Sequence, residues 1–208
     1  MKKIVILLIG TLFTQIINAE VLKQYFDDGV LKSETTYRDG TVTLTQRGVK
    51  EGIEKVYYNT KSLAYSVHYI NGLREGKMAW LDRKGNVLEI MHYKQGLLEG
   101  NNTIFYPSGK LKSEVDFIDD KKEGLKKEYF STGTLALKVN YKFNKKEGIQ
   151  EEYFEDGKLY AQVTYKNNYK EGNKKWYDKL GKVVKTEFYK MDRPLNVMKK
   201  VQKNNAKY

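Results

Sequence analysis

The chain has 208 residues, a formal net charge of +12 and no cysteine. Disulfide stapling and thiolate chemistry are thereby excluded, and the fold must hold without disulfides. Tyrosine outnumbers the other aromatics, with 17 Tyr against 8 Phe and 2 Trp, so any recurring aromatic position is chiefly a tyrosine position.

Met1-Lys2-Lys3 is a short basic start, and the run from Ile4 to Ile17 is apolar apart from Gly10, Thr11, Thr14 and Gln15. Ile17-Asn18-Ala19 then supplies a β-branched and a small residue at the positions a signal peptidase reads. The run is shorter than the ~20 residues a membrane span needs. Residues 1–19 are therefore predicted to be a signal peptide cleaved after Ala19. No cysteine follows for lipid attachment, and the mature protein is expected in the periplasm, on the cell surface or secreted. Loss of Lys2 and Lys3 lowers the net charge from +12 to +10.

A partial repeat occupies 20–40. Tyr25-Phe26 and Gly29 are followed by alternating Leu31, Ser33, Thr35 and Tyr37, with Gly40 at the end. An insert at 41–48, in which Val42 and Leu44 alternate with threonines, could add a strand. Six repeats then run from residue 51. Their signature is Glu51-Gly52, Glu75-Gly76, Glu99-Gly100, Glu123-Gly124, Glu147-Gly148 and Glu171-Gly172, each 24 residues after the last. A fixed short period is the mark of a repeat architecture.

With each Glu-Gly glycine as zero, position +5 is Tyr57, Leu81, Phe105, Tyr129, Tyr153 and Tyr177, and +9 is Lys61, Gly85, Gly109, Gly133, Gly157 and Gly181. From +11 to +17 the apolar residues recur at every second place, as in Leu159, Ala161, Val163 and Tyr165. That is the period of a half-buried strand. Four residues before each zero glycine stand Gly48, Gly72, Gly96, Asp120, Asn144 and Asn168, residue types that tolerate positive φ. Each repeat is thus strand, turn, strand, turn. The fold class predicted is all-β: an elongated rod of antiparallel hairpins, a single twisted meandering sheet of about 14 strands spanning about 65 Å. Residues 190–208 leave the pattern as a basic tail containing Pro194.

Catalytic or metal chemistry finds little support. His68 and His92 share a column with Asp116, but equivalent columns lie two strands, roughly 9–10 Å, apart, too far for ligands of one zinc ion. The glutamate column is read as structural, each carboxylate accepting backbone N–H groups at a turn. No nucleophile–base arrangement or phosphate loop is present. The chain is read as a non-enzyme without cofactor or metal.

The pattern E-G-x4-Y-[YF]-x2-G-x-L-x5-Y, carried by Glu123-Gly124 with Tyr129, Phe130, Gly133, Leu135 and Tyr141 and again by Glu147-Gly148 with Tyr153, Phe154, Gly157, Leu159 and Tyr165, resembles the variant MORN repeat (type 2) of bacterial proteins. It departs from the standard MORN consensus, since Tyr141 is followed by Lys142-Phe143-Asn144. The resemblance implies a rod of hairpins serving as an interaction scaffold. Relatives are credited with binding proteins, touching acidic phospholipids or acting as antitoxins.

Position-specific change points to the place of contact. If the +5 aromatic faces the core, +2 and +4 face away from it, and Val56, Met78, Trp80 and Ile104 stand there where later repeats carry Lys126, Glu128, Gln150 and Glu152. Leu88 and Ile90 occupy positions that later hold Lys112 and Lys138. These six apolar residues are the expected surface for a protein partner at the envelope or on a host cell; the alternative is a core covered by Thr41 to Gly48 or by a curled sheet. Trp176, Val184 and Phe188 form a similar group read as a capping repeat. The alternatives are an anionic lipid or glycan bound by a lysine stripe that includes Lys121-Lys122 and Lys145-Lys146, and neutralisation of a toxin. Export makes nucleic acid an unsuited partner.

Overall fold

The computed structural model of the chain describes residues 19–38 and 48–195. The predicted signal peptide through residue 18, the insert from 41 to 47 and the tail beyond 195 lie outside the described residues. The chain divides into two units at Leu98 and Glu99. The first holds β1 (Ala19–Tyr25), β2 (Leu31–Arg38), β3 (Val49–Tyr57), β4 (Leu63–Ile70), β5 (Leu73–Leu81), β6 (Val87–Lys94) and β7 (Leu97–Leu98). The second holds β8 (Gly100–Phe105), β9 (Leu111–Ile118), β10 (Lys121–Tyr129), β11 (Leu135–Lys142), β12 (Lys145–Tyr153), β13 (Leu159–Lys166), β14 (Tyr169–Tyr177), β15 (Val183–Lys190) and β16 (Arg193–Pro194).

The fold is all-β and antiparallel, as the alternation predicts. Within each unit the strands lie in chain order, with β7 set on β6. The described strands number 16 rather than about 14; the difference is β7 and β16, of two residues each.

Two kinds of turn join the strands. Between β4 and β5 the loop is Asn71-Gly72, at φ 51° and 80°. Positive φ at both central residues is the type I′ hairpin turn, whose twist matches that of the strands it joins. Phe143-Asn144 (48° and 65°) and Asn167-Asn168 (50° and 74°) repeat it. The predicted left-handed column is therefore the second residue of this turn. Gly48 abuts the undescribed residues.

At the other margin, the Gly157 N–H donates to the Phe154 carbonyl at 2.9 Å and the Phe154 N–H to the Lys158 carbonyl at 2.8 Å. This loop pairs a tight turn with a one-residue bulge whose extra position is left-handed, and glycine fills it at φ 84°. Lys61 occupies the same place at φ 68°, where a side chain is disfavoured.

The Glu-Gly pair is not a turn but a bulge inside a strand. Thr35 faces Glu54 and Tyr37 faces Lys50, so two residues of β2 run against four of β3. The joints β4–β5, β9–β10, β11–β12 and β13–β14 do the same. The bulge glycine sits at φ 77° to 93° across the six repeats.

Two extra residues leave the alternation of faces intact, whereas the single extra residue at the other turn inverts it. Val56 faces Tyr65 across β3 and β4, so Tyr57 points to the opposite side of the sheet. The +5 aromatic is accordingly on the face opposite the +15 valines, and +2 is on the valines' own side. This corrects the expected assignment. Glu54, Met78, Asn102 and Gln150, all at +2, are buried alongside Val67, Met91, Val115, Val139 and Val163. In the first unit Val67, Tyr69, Met78 and Met91 form one apolar cluster, with Tyr65, Tyr93 and Leu98 packed against it. Each fully buried side chain of this kind stabilises by roughly 1.5–3 kcal/mol.

Candidate interaction surfaces

The glutamate column does what its regularity predicts. Glu51 accepts the Asn71 N–H at 2.8 Å, Glu75 that of Gln95 at 2.8 Å and Glu99 that of Asp119 at 3.2 Å. Glu123 accepts from Phe143 at 2.9 Å, Glu147 from Asn167 at 2.9 Å and Glu171 from Met191 at 3.2 Å. In every repeat the donor is the first residue of the type I′ turn, so each bulge pins the next turn. The Asn71 N–H, ahead of the Arg38 guanidinium, holds the Glu51 carboxyl below its ordinary range. At three turns the second residue doubles the clasp: Asn144 Oδ1 accepts the Lys122 N–H at 2.7 Å, Asn168 Oδ1 that of Lys146 at 2.6 Å and Asp192 Oδ1 that of Lys170 at 2.8 Å.

The basic residue before each of these glutamates, except at Glu99, is also structural. Lys50 Nζ lies 4.6 Å from the ring centre of Tyr69, Lys146 4.8 Å from Tyr165 and Lys170 5.0 Å from Tyr189. Cations over aromatic faces at this range are attracted by the ring quadrupole. Burial works against the Lys50 charge, but its 2.6 Å contact to Glu54 raises its pKa above the ordinary value. Lys146 meets Gln150 Oε1 at 2.8 Å, and burial lowers its pKa. The expected lysine stripe is thus divided. Lys122, Lys146 and Lys170 are half-buried supports, while Lys121 and Lys145 remain exposed.

The six candidate partner-binding residues do not form one patch. Met78 faces Met91 and is only 3% exposed, so it is core. Trp80 is on that same side but 37% exposed, with its ring centre 4.6 Å from that of Tyr65. Val56 and Trp80 both face Tyr65 from its two neighbouring strands, giving a row Val56–Tyr65–Trp80. Ile90 faces Ala79 across the strands, and with Leu88 it lies on the opposite side, half-buried. Ile104 faces Ser113 in the second unit. The cause of the split is the one-residue bulge, which the count of positions from +5 did not include. The end group divides in the same way: Trp176 faces Lys185 between two lysines, whereas Val184 and Phe188 lie on the other side.

A further asymmetry sits at the type I′ margin. In the first unit Val49, Ile70, Leu73 and Leu97 are exposed there. The corresponding residues Lys121, Lys142 and Lys145 of the second unit are cations. Comparing the columns three before and eighteen after the zero glycine would have found this: Val49, Ile70, Leu73, Leu97 and Ile118 are apolar with Lys94 the exception, and from Lys121 on the residues are basic with Tyr169 the exception.

His68 faces Glu75 and Ile53, and His92 faces Lys77. Among the described residues no group of three or more His, Cys, Asp or Glu side chains is placed to hold a metal ion. Also among them, no helix is long and apolar enough to cross a membrane.

With this geometry in hand, the comparison with protein families is decisive. The MORN repeat variant model matches residues 21–39, 50–71, 98–119, 122–143, 146–167 and 170–191. The chain belongs to the MORN repeat variant family. From residue 50 on, the matched segments of this MORN protein follow the 24-residue period, and the stretch between 71 and 98, which carries Met78 and Trp80, lies between two of them. No curated protein matches the chain. Among solved structures, part of it is similar to a mutant of S. aureus TarM at 15% identity and a TM-score of 0.32, covering 46% of this chain and 19% of that one. A second TarM structure gives 17% identity and a TM-score of 0.30, covering 45% of this chain and 20% of that one. The chain therefore matches only about a fifth of the length of these proteins.

Proposed function

We propose that this MORN repeat protein is an exported, non-enzymatic scaffold that holds a protein partner on the Val56–Tyr65–Trp80 row. The observation that carries this reading is Trp80 itself. It is a large side chain 37% exposed on the same face as buried Met78, with its ring packed at a tilt of 46° against that of Tyr65. Tryptophan and tyrosine in contact supply rigid apolar area with a polar rim, the composition enriched at binding hot spots. Export is supported by the basic start, the apolar run from Ile4 to Ile17 and the small residue Ala19. Cleavage after Ala19 would leave Glu20 to Tyr25 of β1 paired with β2. N-terminal sequencing of the protein recovered from an exporting cell should begin at Glu20; a chain that retains Met1 would overturn the export reading. Trp80→Asp should reduce capture of envelope or host-cell proteins about tenfold while the far-ultraviolet spectrum and melting transition persist. Undiminished capture by a folded Trp80→Asp chain would refute the row as the contact.

A further inference from the structure

We infer that the type I′ turn margin of the second unit is a docking line for an anionic polysaccharide chain. The inference deepens the anionic-surface reading of the lysines and does not depend on the Trp80 row. Its first support is an electrostatic liability. Lys142 and Lys145 face each other directly across the turn that joins β11 and β12, and Lys190 faces Arg193 across the next turn but one. Like charges directly opposed on antiparallel strands destabilise the pair. All four are exposed, and among the described residues none of them forms an ion pair.

The acids of this margin accept hydrogen bonds from the backbone and are not paired with these cations. Glu123, Glu147 and Glu171 are turned onto the backbone N–H groups of Phe143, Asn167 and Met191, and Asp192 Oδ1 accepts the Lys170 N–H at 2.8 Å. Asp119 and Asp120 stand at the turn before Lys121, so the line begins beyond them. The hairpin itself does not require opposed cations. In the first unit the same positions pair Ile70 with Leu73 and Lys94 with Leu97.

The second support is spacing. Successive type I′ turns are two strands apart, about 9–10 Å. The cations Lys142/Lys145, Lys166 and Lys190/Arg193 therefore form a single file of fixed period, suited to a polymer whose charges also recur. Aromatic faces lie beside them. Phe143 is 62% exposed with Lys121 Nζ 6.0 Å from its ring centre, and exposed Tyr169 faces Lys166. Such rings can stack on sugar rings between anionic substituents. The middle turn tip is Asn167-Asn168, so the margin does not present the continuous apolar wedge that insertion into a bilayer would use.

The test uses the full chain and dextran sulfate, with unsulfated dextran and phosphatidylglycerol-containing vesicles as comparators. Dextran sulfate should bind in low salt, weaken steeply as salt is added, and bind about tenfold more weakly to the variant Lys142→Gln/Lys145→Gln/Lys190→Gln/Arg193→Gln. A control carrying Lys55→Gln, Lys61→Gln, Lys77→Gln and Lys84→Gln, which loses the same charge from the first unit, should change binding less than about threefold. Melting of the margin variant at or above the parent temperature shows that it is folded. Equal weakening by the control would overturn the inference, as would vesicle binding lost in the margin variant while dextran sulfate binding is kept. Trp80→Asp should leave dextran sulfate binding unchanged, which separates this inference from the protein-partner reading.

Discussion

The Glu147 carboxylate accepts the backbone N–H of Asn167, 2.9 Å away and twenty residues further along the chain. The same link from bulge to following turn occurs in all six repeats. It explains why the pair is Glu-Gly. Glycine supplies the left-handed bulge that carries the carboxylate out to the margin, and glutamate supplies the acceptor for a turn N–H. Glu147→Ala should therefore destabilise the chain by roughly 1 kcal/mol, with Glu147→Gln recovering part of the loss. Chemical denaturation of the two variants measures this, and protection of the Asn167 amide from hydrogen exchange should fall in Glu147→Ala.

Lys61 stands in the bulge column that glycine fills at Gly85, Gly109, Gly133, Gly157 and Gly181. A side chain there bears the left-handed strain at φ 68°. Lys61→Gly should stabilise by about 1 kcal/mol, since the relieved strain exceeds the added freedom of the unfolded chain. An urea titration reads the shift in midpoint.

Met78 and Trp80 are two residues apart, on one side of the sheet, and differ in cover. Met78→Ala should cost about 2–5 kcal/mol, because it opens a cavity against Val67, Tyr69 and Met91. Trp80→Ala should cost less than Met78→Ala. Equal losses in thermal denaturation would mean that Trp80 is core.

Several carboxylates titrate low for named reasons. The hydrogen bond from Lys127, then that from Tyr129, holds Glu114 below its ordinary value of 4.5, and the hydrogen bond from Lys23 does the same for Glu34. For groups whose folded pKa is depressed, the stabilisation is present above the unfolded value and is lost as pH falls through the folded one. The melting temperature should therefore be level from neutral pH to about 5 and fall progressively below 4.5. Glu114→Gln should flatten that fall, and melting curves across this range check it.

The period, the strand–turn order, the left-handed turn column and the role of the glutamates were legible in the sequence, because each is a local demand that recurs at a fixed offset. Which side of the sheet a residue faces was not. Two bulges per repeat, one adding two residues and the other adding one, are invisible to a count of alternating positions, and the second inverted the assignment of Tyr57 and hence of Met78. Trp80 was singled out for its contrast with Glu128 and Glu152, and it proved exposed. Leu88 and Ile90 were joined to it by the same miscounted alternation. The basic-to-aromatic stacking of Lys146 on Tyr165 spans nineteen residues, and no single stretch of sequence displays it.

Site-specific photo-crosslinking tests the central claim most directly. A photoreactive phenylalanine analogue is placed at Trp80, or at Leu88 on the opposite side of the sheet, and the chain is irradiated in the presence of envelope or host-cell proteins. The account predicts a discrete crosslinked protein from position 80 that is absent or much weaker from position 88. An equal product from position 88, or none from position 80 in a folded chain, would contradict it.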